Sequence, residues 1–142
     1  MPAFRLDTRT LTGGVVALGL LLAFDLFASL ADAGFDADVR TPLGPFSLVT
    51  LAVTFVAMGA GGWVARRGFI AVALVLTSLT WVAVVVTLLA IAGPGSPAPM
   101  HSVGGVLRYN AAAIVLGLAV AALGAWAGQR LARRRAMASG PA

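Results

Sequence analysis

Residues 46–91 read FSLVTLAVTFVAMGAGGWVARRGFIAVALVLTSLTWVAVVVTLLAI, two long apolar runs parted by Arg66-Arg67-Gly68. As helices rising about 1.5 Å per residue, runs of about 20 residues cross a hydrocarbon core about 30 Å thick. So short a separation leaves room only for a tight turn. Segments 46–65 and 68–91 are therefore expected to be antiparallel neighbours in a membrane.

Working outward, two more segments have the same character, at about 11–33 and about 109–129. Between the first pair lies Gly34-Phe35-Asp36-Ala37-Asp38-Val39-Arg40-Thr41-Pro42-Leu43-Gly44-Pro45. Its turn formers and charges predict a loop. Gly93-Pro94-Gly95-Ser96-Pro97-Ala98-Pro99 stops the third helix, since proline lacks an amide donor and glycine is costly in a helix. A second long loop then runs to Arg108. The expected fold is all-α: an integral membrane four-helix bundle, one transmembrane domain over 1–142 with a basic cytoplasmic tail at 130–142.

Composition agrees. Of the 142 residues 60% are hydrophobic and 11% charged, and mean hydropathy is +0.97, whereas a soluble domain carries about a quarter charged residues. The net charge of +5 does not indicate a nucleic-acid partner, because the arginines flank apolar segments instead of forming a basic face with interleaved aromatics. The chain has no cysteine, which excludes disulfides, thiolate nucleophiles and Cys-based metal sites.

Arg5, Arg9, Arg66, Arg67, Arg130, Arg133, Arg134 and Arg135 fall on one side of the expected bundle, against Arg40 and Arg108 on the other. By the positive-inside rule both termini and the short hairpin are cytoplasmic. Trp63 and Trp126 at the inner ends and Tyr109 at the outer end suit the interfacial aromatic belt. A rival reading takes Arg5, Arg9, the run 14–22 and Ala31-Asp32-Ala33 as a signal peptide with an A-x-A cleavage site. The length of the apolar stretch and its aspartate favour a retained helix.

Ala57-Met58-Gly59-Ala60 through Ala65-Arg66-Arg67 is echoed by Ala122-Leu123-Gly124-Ala125 through Ala132-Arg133-Arg134. This suggests two tandem helical hairpins related by an axis along the membrane normal. The shared need for small residues and flanking arginines accounts for the echo equally well. Small residues also recur at four-residue spacing as Ala113/Gly117/Ala121, Gly124/Gly128, Ala57/Gly61/Ala65 and Gly19/Ala23. Such spacing predicts close backbone approach, within one chain or between copies.

Asp25 is the anomaly, because an ionisable group within a membrane helix costs several kcal/mol without a polar partner and marks a candidate site. Ser29 and Asp32 continue its helical face toward the outer surface, and that stripe is expected to face the bundle interior. Thr54 and Thr80 fall at the depth of Asp25, and Thr50 nearer Ser29. Thr77, Thr80, Trp81, Val84 and Thr87 share one face of the third helix. The candidate intramembrane polar site is thus Asp25, Ser29, Asp32, Thr54 and Thr80. Two roles fit it: a cation or proton path, or a protonated carboxyl satisfied by a threonine hydroxyl or a carbonyl. Isolation favours the second, since no polar group stands between Asn110 and Gln129 on the fourth helix.

At the outer surface Asp32, Asp36 and Asp38 lie within reach of Arg40 and Arg108 as an interfacial ion-pair cluster of little individual strength. His101, the one histidine, reads as a solvated loop residue, since a metal site needs several ligands. The arginines of the tail suit anionic headgroups. No catalytic, cofactor-binding or metal-binding constellation and no phosphate-binding loop is present in the sequence.

Gly59-Ala60-Gly61-Gly62-Trp63 with its following arginines, Pro99-Met100-His101, and the order of helices resemble small bacterial four-helix membrane proteins of unassigned activity. That resemblance covers the whole chain and implies no functional residue. The expected function is a non-enzymatic structural or accessory subunit of the bacterial inner membrane, multi-pass, in contact with the lipid bilayer and with a second copy or a larger membrane partner. The alternative is a small proton- or ion-linked transporter or channel using Asp25.

Overall fold

The computed structural model describes residues 7–30, 38–42, 44–96 and 101–138. Arg5, Ala31-Asp32-Ala33, Asp36, Leu43 and Pro99-Met100 lie outside them, as does the chain after Ala138. The order is α1 (Thr8–Leu30), β1 (Asp38–Thr41), β2 (Gly44–Ser47), α2 (Leu48–Ala65), α3 (Phe69–Ile91), α4 (Val103–Tyr109) and α5 (Ala111–Ala138). The fold is all-α, and α1, α2, α3 and α5 are each long and apolar enough to cross a membrane.

The packing is that of a membrane bundle. Only 11–28% of the apolar windows of these four helices is buried inside the protein, so most of their leucine and valine surface faces outward, as lipid permits and water does not. Inside sit small residues, Ala17, Ala65, Ala73, Ala121 and Ala125, with Met58 and Phe69 filling the gaps.

Glycine determines how close the helices come. A Cβ on Gly13 of α1 would stand 2.5 Å from the Gly61 carbonyl oxygen of α2, and one on Gly61 would strike both Gly13 and the Phe69 ring. Between α2 and α5, which run parallel, a Cβ on Gly62 would run into the Ala125 carbonyl and one on Gly128 into the Gly59 carbonyl. The contact is reciprocal, each glycine lying against the carbonyl three residues before its counterpart.

Three expectations need correction. First, α2 and α3 are joined by a tight turn, with Arg66 at φ 62 and Gly68 at φ 73, but they are not close neighbours along their length. The main partners of α2 are α5 and α1, and α3 leans on α5. The glycines of α2 face those two helices, whereas its threonines and Leu51 face α3 across open space.

Second, the two loops carry structure. β1 and β2 pair antiparallel with Asp38 opposite Ser47 and Val39 opposite Phe46, around a turn in which the Thr41 hydroxyl donates to the Gly44 carbonyl at 2.6 Å. Gly44 has φ +104 and its Cα abuts the Tyr109 carbonyl, leaving no room for a side chain. Ser47 ends the strand and caps α2, its Oγ accepting from Thr50 N at 3.4 Å. In the second loop Ser102 Oγ accepts from Gly105 N at 3.1 Å to start α4, so Arg108 and Tyr109 belong to that short helix.

Third, α5 continues through the basic stretch to Ala138. Alanine and arginine are strong helix formers, and cations suit a helix C-terminus.

Arg9, Arg66, Arg67, Arg130 and Arg133 to Arg135 gather at one end of the bundle, with β1, β2 and α4 at the other. At the arginine end the Arg135 guanidinium lies 5.2 Å from the Trp63 ring centre, and Arg130 lies 5.1 Å from Trp126. Gln129, 4% exposed, closes the turn. With its amide oriented to meet donors, Oε1 accepts from Phe69 N at 2.6 Å and Gly68 N at 3.2 Å. It caps α3 from a different helix, satisfying amides that a helix start leaves orphaned.

Candidate functional site

Because α3 departs from α2 beyond the turn, a cavity of about 380 Å3 opens between them toward the hairpin end. Its walls come from every long helix and the hairpin: Leu21 and Asp25 of α1, Asp38 of β1, Thr50, Leu51, Thr54 and Met58 of α2, Thr77, Thr80, Trp81 and Val84 of α3, and Ala113 and Gly117 of α5. Pro45, Phe46, Ser47 and Asn110 complete it. Met58, 1% exposed, lies at its floor on the packed core.

Asp25, Thr54 and Thr80 thus share one cavity, together with Thr50, Thr77, Trp81 and Val84. Asp25 is exposed along this wall and is not enclosed by the bundle. Ser29 is exposed and takes no part in the cavity, so the interior stripe is not continuous; Asp32 falls outside the described residues. Thr87 is exposed and also lies off the cavity.

The hydroxyls are oriented by their own helices. Thr54 donates to Thr50 O at 2.8 Å, Thr77 to Ala73 O at 2.8 Å and Thr80 to Leu76 O at 3.0 Å. With the proton committed to the i−4 carbonyl, each hydroxyl offers lone pairs to the cavity. Asn110 Nδ2 is likewise spent on Val106 O at 2.9 Å. The lining contains two aspartates and no arginine or histidine. It is a surface of acceptor oxygens with two carboxyl groups and no basic side chain.

Trp81 lies against α5 at Gly117, where a Cβ would make an ordinary contact 3.5 Å from the indole nitrogen. Asp38 is the residue that the sequence reading assigned elsewhere. It lines this cavity and also a surface pocket with Arg40 and Arg108. The signal was the Thr41-Pro42 turn with Gly44, which makes a hairpin and sets Asp38 opposite Ser47 at the mouth of α2. Asn110 was read only as a helix boundary. His101 is an exposed loop residue whose ring nitrogen Nε2 lies 3.0 Å from Ser96 O.

Comparison with protein-family models, curated proteins and solved structures finds no match to the chain.

Proposed function

We propose that the chain is a small non-enzymatic cation transporter of the bacterial inner membrane, with Asp25 as the counter-charge and Thr54 and Thr80 as acceptors on the path. One observation carries this: a single cavity among membrane-length helices gathers Asp25, Asp38, Thr50, Thr54, Thr77 and Thr80 and has no basic residue in its walls. α2, α3 and the hairpin supply the polar groups of the cavity beside Asp25, while α5 contributes only Ala113 and Gly117 to its wall. Seven arginines at the opposite end orient the bundle with that end and both termini cytoplasmic, so the cavity faces outward.

The test is proton and cation flux into liposomes containing purified protein. Wild type is expected to exceed protein-free vesicles at least tenfold, and Asp25→Asn to return to background. Equal background traces for both would remove the transport reading.

The reading as an accessory subunit has its own observation: α1 carries Gly19 with nothing within 4 Å of a Cβ built on it, and Ala23 exposed beside it. A larger membrane protein recovered at fixed stoichiometry in mild detergent, together with background flux, would favour that role.

A further inference from the structure

We infer that the cavity takes a protonated amine with an apolar body, in preference to a bare metal ion; this rests on the cation-transport reading and names its substrate class. Three features point to it. At about 380 Å3 the space falls in the range of small-molecule sites, which are mainly apolar with a few placed polar groups. A dehydrated metal ion fills a far smaller space and gathers six or more oxygens around itself.

The wall is also two-sided. Asp25 and the threonine oxygens supply negative charge and lone pairs, while Trp81, Leu21, Leu51 and Met58 supply apolar and aromatic surface. An ammonium group donates two or three N–H bonds, matching hydroxyls whose own protons are spent on Thr50 O, Ala73 O and Leu76 O. A neutral analogue finds no such match, and a carboxylate meets like charge.

Trp81 is the third feature. Indole is the strongest of the aromatic faces for a cation, and Trp81 shares the cavity wall with Thr77 and Thr80. A metal ion gains little from that surface, whereas an organic ammonium uses the ring and the carboxylate together.

The experiment uses full-length protein in nanodiscs with Trp63→Phe and Trp126→Phe, leaving Trp81 as the reporter, and titrates 2-phenylethylammonium against 2-phenylethanol and sodium. The ammonium is expected to shift Trp81 emission saturably, at least tenfold more tightly than the alcohol, with sodium competing weakly. Asp25→Asn is expected to weaken the ammonium at least tenfold and leave the alcohol unchanged. If the double tryptophan variant does not fold, calorimetry on wild type and Trp81→Leu gives the same comparison, with a severalfold loss for the ammonium expected on Trp81→Leu. Sodium binding as tightly as the ammonium, or the alcohol equalling it, overturns the inference; Asp25-dependent flux would still leave the transport reading standing. No cation binding together with background flux removes both.

Discussion

The two ends of this bundle are built on opposite principles. Toward the arginine end α1, α2 and α5 touch through backbone, with Gly13 on Gly61, Gly62 on Ala125 and Gly128 on Gly59. Toward the hairpin end α1 and α2 bring Leu21, Asp25, Thr50, Leu51 and Thr54 to a cavity whose other walls are α3 and, at Ala113 and Gly117, α5. Lipid is as apolar as leucine, so membrane helices associate where small residues allow backbone contact. Along α2 the glycines thus mark where helices meet through backbone, and the threonines mark where the cavity opens. The proposed transport would use that division, one end packed and the other open to a solute.

The comparison breaks most readily at the packed end. Gly128→Leu drives a side chain into the Gly59 carbonyl and the Trp63 amide, both backbone, where no rotamer relieves the clash. The expected loss is about 3 kcal/mol, the upper part of the range for overpacked cores, read as a lowered midpoint in thermal or denaturant unfolding in detergent. Gly19→Leu, with nothing within 4 Å, is the control and is expected to leave the midpoint unchanged. Equal effects of the two would show that the small-residue interface is not what holds the bundle.

A smaller effect is expected at the turn. Gln129→Leu removes the acceptor that faces Phe69 N and Gly68 N and leaves both amides at the start of α3 unsatisfied beside a buried, apolar ring. Loss of a cap or a buried hydrogen-bond partner costs about 1–2 kcal/mol. Gln129→Glu keeps an acceptor and is expected to recover most of it; failure of the glutamate to do so would assign the cost to packing instead.

Much of this division was legible beforehand, and for a physical reason. Helix spans follow from hydropathy because the bilayer imposes length and composition together, and placing Thr54 and Thr80 beside Asp25 needed only equal rise per residue along α1, α2 and α3. The neighbour relations were harder to read. The turn at Arg66-Arg67-Gly68 constrains where α3 begins but not where it leans, which depends on Phe69 packing against Gly61 and on Gln129 holding the first amides. Neither signal is local. The hairpin went unread because its strands are four residues each, and a charged stretch rich in turn formers has the composition of a loop. Asp38 and Asn110 were missed with it, since their place in the site is a matter of topology and not of spacing.

At the open end the expected change in stability is least, and that contrast sharpens the comparison further. Thr80→Val removes a hydroxyl whose proton goes to Leu76 O in its own helix, so no bond between helices is lost and unfolding is expected to move within about 0.5 kcal/mol, the range for changes off the core. Its oxygen, however, is one of the acceptors that face the cavity. Cation flux is expected to fall severalfold in Thr80→Val and to be retained in Thr80→Ser, which keeps the oxygen and loses only the methyl. Thr54→Val and Thr54→Ser should divide the same way, since Thr54 bonds to Thr50 O in the same manner. If valine at both positions leaves flux intact, the hydroxyls serve only their helices and Asp25 acts without them. If instead valine lowers stability as much as Gly128→Leu does, the polar end is a packed core in its own right, and the contrast between the two halves of the bundle fails.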